Sequence, residues 1–227
     1  MSGIGSLNEK PLHASLKEWY AQPGDRLEVK VDGYVVDIVR NDLLLEIQTG
    51  HFASVKAKLM NLVRSYQIRL AYPIALEKWI VKPAKDESSG VTRRKSPRRG
   101  RVEELFMEMV SFPHLLANPN FSIEVLLTKI EAVRRYEGKR KWRSRGWGIE
   151  ERRLLEVVDR RLFEDGADLL ALLPEGIKRP FTARDLAEEA DIGGILAQKM
   201  VYCLRKAGAI ELAGRRGRAN LYRVANT

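Results

Sequence analysis

Two acidic residues interrupt an otherwise apolar stretch of the chain: Asp37 in Val35-Val36-Asp37-Ile38-Val39, and Glu46 in Leu44-Leu45-Glu46-Ile47-Gln48. Both runs have strand composition, and Asn41-Asp42 between them suits a two-residue hairpin turn. With that turn, Arg40 faces Leu43, Val39 faces Leu44, Ile38 faces Leu45 and Asp37 faces Glu46. The two acids then stand with their Cβ atoms roughly 5 Å apart. Gln48 falls on the same face as Glu46, because side chains alternate along a strand. Like charges opposed in a half-buried sheet are costly unless a proton is shared or a cation lies between them. A hard cation such as Mg²⁺ accepts one or two carboxylates and completes its shell with water and phosphate oxygens. Held there, it could polarise a phosphodiester and acidify an attacking water. A different turn would instead send both acids to solvent.

The surrounding pattern supplies elements to position such a pair. Leu12, Leu16, Trp19 and Tyr20 recur at helical spacing, and Gln22-Pro23-Gly24 ends that helix. Strands are expected over 26–31, 34–39 and 43–48. A helix follows over 52–66, then strands over 68–72 and 75–81 with Pro73 at their junction. Residues 83–100, rich in Ser, Pro, Gly and basic side chains, read as a mobile loop. Residues 102–112 return to helical spacing, 121–127 is strand-like, and 154–163 and 168–173 read as helices. Pro174-Glu175-Gly176 marks a boundary. The expected domains are an α/β unit over 1–147, a helical connector over 148–176 and a C-terminal unit over 177–227.

The order helix, three-stranded meander, helix, strand resembles the PD-(D/E)xK nuclease superfamily over about residues 10–82. Asp37 and Glu46-Ile47-Gln48 match its short motif. The resemblance implies a restriction-endonuclease-like mixed sheet flanked by helices. It also implies Mg²⁺ or Mn²⁺ held by Asp37 and Glu46, with Glu18 as an additional ligand from the first helix. Gln48 takes the place of the family's lysine and lacks its charge, so Lys56 or Lys58 from the next helix would have to substitute. His51 stands near the same strand end. Many such nucleases pair subunits, so a homodimer is a further expectation.

The C-terminal residues carry a second resemblance. Phe181-Thr182-Ala183-Arg184-Asp185-Leu186 reads as a capped helix, with Thr182 at the cap and Asp185 three residues on. A turn at Asp191-Ile192-Gly193-Gly194, a helix over 195–206 and a hairpin with a basic tip follow. That order is similar to the winged helix-turn-helix superfamily over about residues 178–225. The resemblance implies Gln198, Lys199 and Tyr202 on a groove-facing surface and Arg215, Arg216 and Arg218 on the nucleic-acid backbone. Winged helices also serve as protein-protein modules.

Forty Lys and Arg against thirty Asp and Glu give a formal charge of +10 over 227 residues. That balance favours a polyanionic partner. One cluster holds Arg93, Arg94, Lys95, Arg98, Arg99 and Arg101. A second holds Arg134, Arg135, Lys139, Arg140, Lys141, Arg143 and Arg145, with Trp142 and Trp147 interleaved. Cys203 stands alone, which excludes an intramolecular disulfide and a Cys-based zinc finger. There is no apolar leader or membrane-length run, so a cytoplasmic protein is expected, without a membrane partner. The sequence therefore points to a metal-dependent DNA endonuclease with a winged-helix DNA-binding domain. The alternative is a non-catalytic DNA-binding regulator on a degenerate nuclease fold.

Overall fold

In a computed structural model, residues 10–84, 90–136 and 147–225 are described. The first helix, α1 (Pro11–Tyr20), begins with proline, whose fixed φ and missing N–H suit that position. Leu12, Leu16 and Tyr20 recur every fourth residue and form its buried stripe. They pack on one face of a seven-stranded sheet, together with Ile38, Leu45, Ile47, Ala71, Leu126 and Ile130. The opposite face is covered by α2 (Lys56–Leu62) and α3 (Leu105–Met109), through Leu59, Leu62, Leu105, Phe106 and Met109.

The sheet runs β1 (Arg26–Val31), β2 (Tyr34–Arg40), β3 (Leu43–Ile47), β4 (Gln67–Lys82), β6 (Phe121–Tyr136), β7 (Trp147–Phe163), with β5 (Thr92–Lys95) beside the far part of β4. The pairs β3–β4 and β4–β6 are parallel and the others antiparallel. The expected mixed sheet with helices on both sides is present.

Three expectations need correction. The strands expected on either side of Pro73 are one strand, β4. Proline is tolerated there because pairing with β3 ends at Ala71 and pairing with β5 starts at Trp79, leaving that edge without a ladder at residue 73. The loop expected over 83–100 contains β5, which pairs Thr92–Lys95 with residues 79–82 of β4.

The largest correction is β7, where a helix was expected over 154–163 and a helical connector over 148–176. Its register against β6 slips three times, leaving residues 150, 155 and 158 as extra residues in β-bulges. Each bulge adds a residue before the same face returns. Leu154 and Val157 therefore both pack toward the α1 face, while Leu155 and Val158 remain exposed. An inward spacing of three residues mimics one side of a helix, and pairing with β6 overrides the propensity of Leu, Glu and Arg. Only a short 3-10 segment, Asp168–Leu172, remains of the connector.

Helices α4 (Ala183–Glu189) and α5 (Gly194–Lys206) precede the hairpin β8 (Ile210–Arg216) and β9 (Ala219–Val224). Their buried residues Phe181, Leu186, Met200, Cys203 and Leu204 join the same apolar cluster as Phe106 and Met109. Residues 177–227 thus share apolar packing with α3 and the large sheet. Gly166 allows a close approach, since a Cβ there would stand 2.6 Å from the Ala207 carbonyl oxygen. The Thr182–Asp185 capping box forms as expected. Burial pushes the Cys203 thiol up to about 12, as suits a small core residue. No helix among the described residues is long and apolar enough to cross a membrane.

Candidate functional site

The β2–β3 hairpin turns at Asn41-Asp42, and Arg40, Val39 and Ile38 pair with Leu43, Leu44 and Leu45. The next rung, Asp37 opposite Glu46, is not formed. Asp37 also drops out of the ladder with β1, where its counterpart Glu28 takes a left-handed φ of 52°. Such backbone strain in a non-glycine residue persists only where the surroundings enforce it. Here Lys17 of α1 holds the Glu28 carboxylate at 2.6 Å. The strands part at Asp37, and its Oδ2 accepts the Ile47 amide at 2.8 Å in place of a backbone carbonyl.

The parted strands are reached from both helical layers. His13 of α1 places Nε2 3.3 Å from Asp37 Oδ2. From the other face, Lys58 of α2 donates to Glu46 Oε2 and to the Val35 carbonyl. Glu46 is 7% exposed, so its charge is expensive. Burial, reinforced by the Asp37 charge and only partly offset by Lys58 and His13, raises its carboxyl to about 7. Burial also raises Asp37, but the His13 hydrogen bond and charge, the Ile47 amide and Lys58 together hold it below the usual value. One fold therefore drives two neighbouring carboxyls in opposite directions, a pattern associated with functional sites.

Of the residues singled out by sequence, Asp37, Glu46 and Lys58 come together. Gln48 does not join them: its side-chain amide donates to the Gly50 carbonyl and to Ser54 Oγ at 3.3 Å. Gln48 and His51 instead line an open cleft of about 820 Å³ beyond the end of β3, with Thr49, Tyr72 and Arg152. Lys56 is exposed on the outer side of α2. Glu18 is exposed on α1, and no hydrogen bond or ion pair links it to either acid among the described residues. The residue of α1 that reaches the site is His13. Finding it required knowing which flank of α1 faces β2, and the apolar stripe does not specify that. Among the described residues, no group of three or more His, Cys, Asp or Glu is arranged to hold a metal ion.

Part of the expected basic surface forms ion pairs within the chain. Arg93 pairs with Glu131 at 2.8 Å and lies over Trp79, and Arg98 pairs with Glu104 at 3.0 Å. Arg99 approaches Glu77 at 3.7 Å, and Lys95 holds the same carboxylate at 2.8 Å. Arg216 clamps Asp185 through both carboxylate oxygens at 2.6 Å, and Lys199 donates to the Met107 carbonyl at 3.2 Å. Arg101 ties the end of α4 to the sheet unit by donating to the Ala190 and Asp191 carbonyls. Arg94, Gln198, Arg215 and Arg218 are exposed and have no partner among the described residues. Lys139, Arg140, Lys141, Arg143 and Arg145 lie outside the described residues.

A second buried carboxylate lies on the α1 face. Tyr20 donates its hydroxyl to Glu124 Oε2, and Arg160 stands 3.8 Å from Glu124 Oε1. Burial, with Glu124 adding to it, pushes the Tyr20 hydroxyl up to about 12. Arg40 joins this network over the Tyr20 ring, held by two hydrogen bonds to Asp25 and one to the Tyr20 carbonyl.

An uncharacterized protein of Treponema pallidum (strain Nichols) is 28% identical over 221 residues, covering 97% of this chain and 87% of that protein. No solved structure matches. Residues 10–164 match the family model described as a domain of unknown function, DUF8091. That span takes in every strand of the large sheet and all four residues at the parting of β2 and β3 (His13, Asp37, Glu46 and Lys58), and the chain belongs to the DUF8091 family.

Proposed function

We propose that this protein is a divalent-cation-dependent DNA nuclease of the PD-(D/E)xK type, with Asp37 and Glu46 as cation ligands and Lys58 as the lysine that Gln48 does not provide. The observation that carries this reading is the ion pair from Lys58 of α2 to Glu46, beside a second carboxylate whose charge Glu46 feels. The donor set fits Mg²⁺ or Mn²⁺. Asp37 Oδ1 and Glu46 Oε1 accept no hydrogen bond among the described residues, and two carboxylates leave the rest of an octahedral shell to water and substrate. A bound cation would supply Lewis-acid polarisation of the phosphodiester and an acidified water. Beside a bound cation, the Lys58 ammonium would stabilise the negative charge that develops on the phosphoryl oxygens. His13 positions Asp37, and the Ile47 amide holds the same oxygen.

The C-terminal helices and hairpin are read as a winged helix that adds DNA affinity, with Gln198, Arg215 and Arg218 as its available contacts. The bond from Lys199 to the α3 backbone and the clamp of Arg216 on Asp185 give those two side chains internal roles. Cleavage of single-stranded, duplex and branched DNA in Mg²⁺ or Mn²⁺ tests the proposal, with Asp37→Asn, Glu46→Gln and Lys58→Met as variants. Cleavage lost in all three while DNA binding persists is expected. Binding without cleavage by the wild-type protein in either metal overturns the enzyme reading. It would favour a non-catalytic DNA-binding regulator, a role consistent with Gln48 being turned away to Gly50.

A further inference from the structure

Beside the open cleft lies a smaller cavity of about 200 Å³ that the carboxylate site does not use. Lys78, Arg98 and Arg152 line it, together with Thr49, Tyr72 and Thr128. It shares Thr49, Tyr72 and Arg152 with the cleft, so the two form one continuous recess that runs from the end of β3 along the middle of β4. The wall on one side is closed by Gly100, where a Cβ would stand 2.5 Å from the Ala75 carbonyl oxygen.

The charges around this cavity do not balance internally. Of the residues lining this cavity only Glu104 is acidic, and Arg98 already takes it at 3.0 Å, while Glu108 and Glu151 of the adjoining cleft are held by the Phe52 amide and by Arg153. Lys78 is half-buried, and neither its amine nor the Arg152 guanidinium has a partner among the described residues. Arg134, on the neighbouring strand β6, has a buried Nε with no hydrogen-bond acceptor among the described residues. Burial lowers the Lys78 amine from its ordinary value, and the charges of Arg98, Arg152 and Arg134 lower it further against Glu104. Several cations gathered in a recess at this cost are stabilised by an anion that accepts from all of them.

We infer that this cavity is a phosphoryl-binding pocket, with Lys78 and Arg152 as its principal donors. The cavity offers a fork-shaped guanidinium, a point-charge amine and room for several waters, which suits a tetrahedral, multiply accepting anion better than a flat carboxylate. The phosphoryl group could come from the end of a nucleic-acid strand lying in the cleft or from a free phosphate. The pocket stands without the nuclease reading, since none of its lining residues is assigned to the cation site.

The test uses the full chain in EDTA, so that hydrolysis cannot contribute. Inorganic phosphate is titrated calorimetrically against chloride of equal ionic strength. One saturable site is expected, weakened about tenfold in Lys78→Met and in Arg152→Gln, the scale of one lost charge-assisted hydrogen bond. It should be unchanged in Arg215→Gln. Arg152 is exposed, so its variant folds even if Lys78→Met does not. Asp37→Asn should bind phosphate normally, which separates failure of this inference from failure of the nuclease reading. Displacement of phosphate by a 5′-phosphorylated but not a 5′-hydroxyl oligonucleotide assigns the source to a strand end, and failure of both to compete assigns it to free phosphate. Heats indistinguishable from chloride, or equal affinity in the wild type and the Arg152→Gln variant, overturn the inference.

Discussion

Glu46 and Glu124 are both glutamates buried in the same sheet, and they are treated in opposite ways. Glu124 is 4% exposed and meets only donors and cations: the Tyr20 hydroxyl and the more distant Arg160. Glu46, 7% exposed, has one cation from Lys58 and one like charge from Asp37, and its second oxygen has no partner among the described residues. Each accepts one side-chain hydrogen bond among the described residues, so what separates them is the charge nearby: Glu124 has only a cation close to it, whereas Glu46 faces a second carboxylate. That like charge is a cost the fold bears. The difference separates a structural acid from a candidate working one.

That contrast is sharpest in activity. Glu46→Gln and Asp37→Asn are expected to lower metal-dependent cleavage on the order of a hundredfold or more, with the fold retained by circular dichroism. Tyr20→Phe is expected to leave cleavage near wild type and to cost about 1–3 kcal/mol in urea unfolding, because a buried carboxylate loses its donor. If Tyr20→Phe abolished cleavage while Glu46→Gln only unfolded the chain, the two roles would be reversed.

A subtler effect is expected in the pH dependence of metal-free stability. The Glu46 carboxyl is raised from 4.5 to about 7 in the folded state, so folding favours its protonated form. The associated stabilisation is complete below pH 4.5 and is lost as pH rises through about 7. Asp37 is shifted the other way from 3.8, so its contribution is lost only as the solution becomes more acidic than that. The melting temperature of Glu46→Gln, measured against wild type, should therefore gain steadily across the window from 4.5 to about 7 and then level off. A flat difference would remove Glu46 as a strained acid. The smallest effect is expected at the hairpin tip: Arg215→Ala and Arg218→Ala should each reduce the log–log salt slope of DNA binding by about 0.9 if each meets one phosphate.

The hairpin was legible in the sequence because Asn41-Asp42 and the flanking aliphatic runs specify its register locally. The three rungs from Arg40 to Ile38 appear as the turn dictates. The missing Asp37 rung was not legible, since it depends on strain at Glu28 and on Lys17 from a different element. Lys58 could be named as a candidate but not preferred over Lys56, because the choice rests on how α2 is rotated over the sheet. The partners of the basic loop were not legible for a related reason: Arg93, Lys95, Arg98 and Arg99 find their acids at Glu131, Glu77 and Glu104, which no local pattern connects to them. Lys78 and Arg152 drew no notice as single charges. Only the sheet brings them to one cavity.

The three bulges of β7 carry a consequence for how this family can vary. In a regular strand, losing one residue turns every later side chain to the wrong face of the sheet. Residues 155 and 158 are already surplus to the pairing with β6, so a deletion at either would close a bulge and leave the remaining rungs with their present partners. The outermost strand therefore carries slack, and its length can drift by a residue or two without disturbing the packing beneath it.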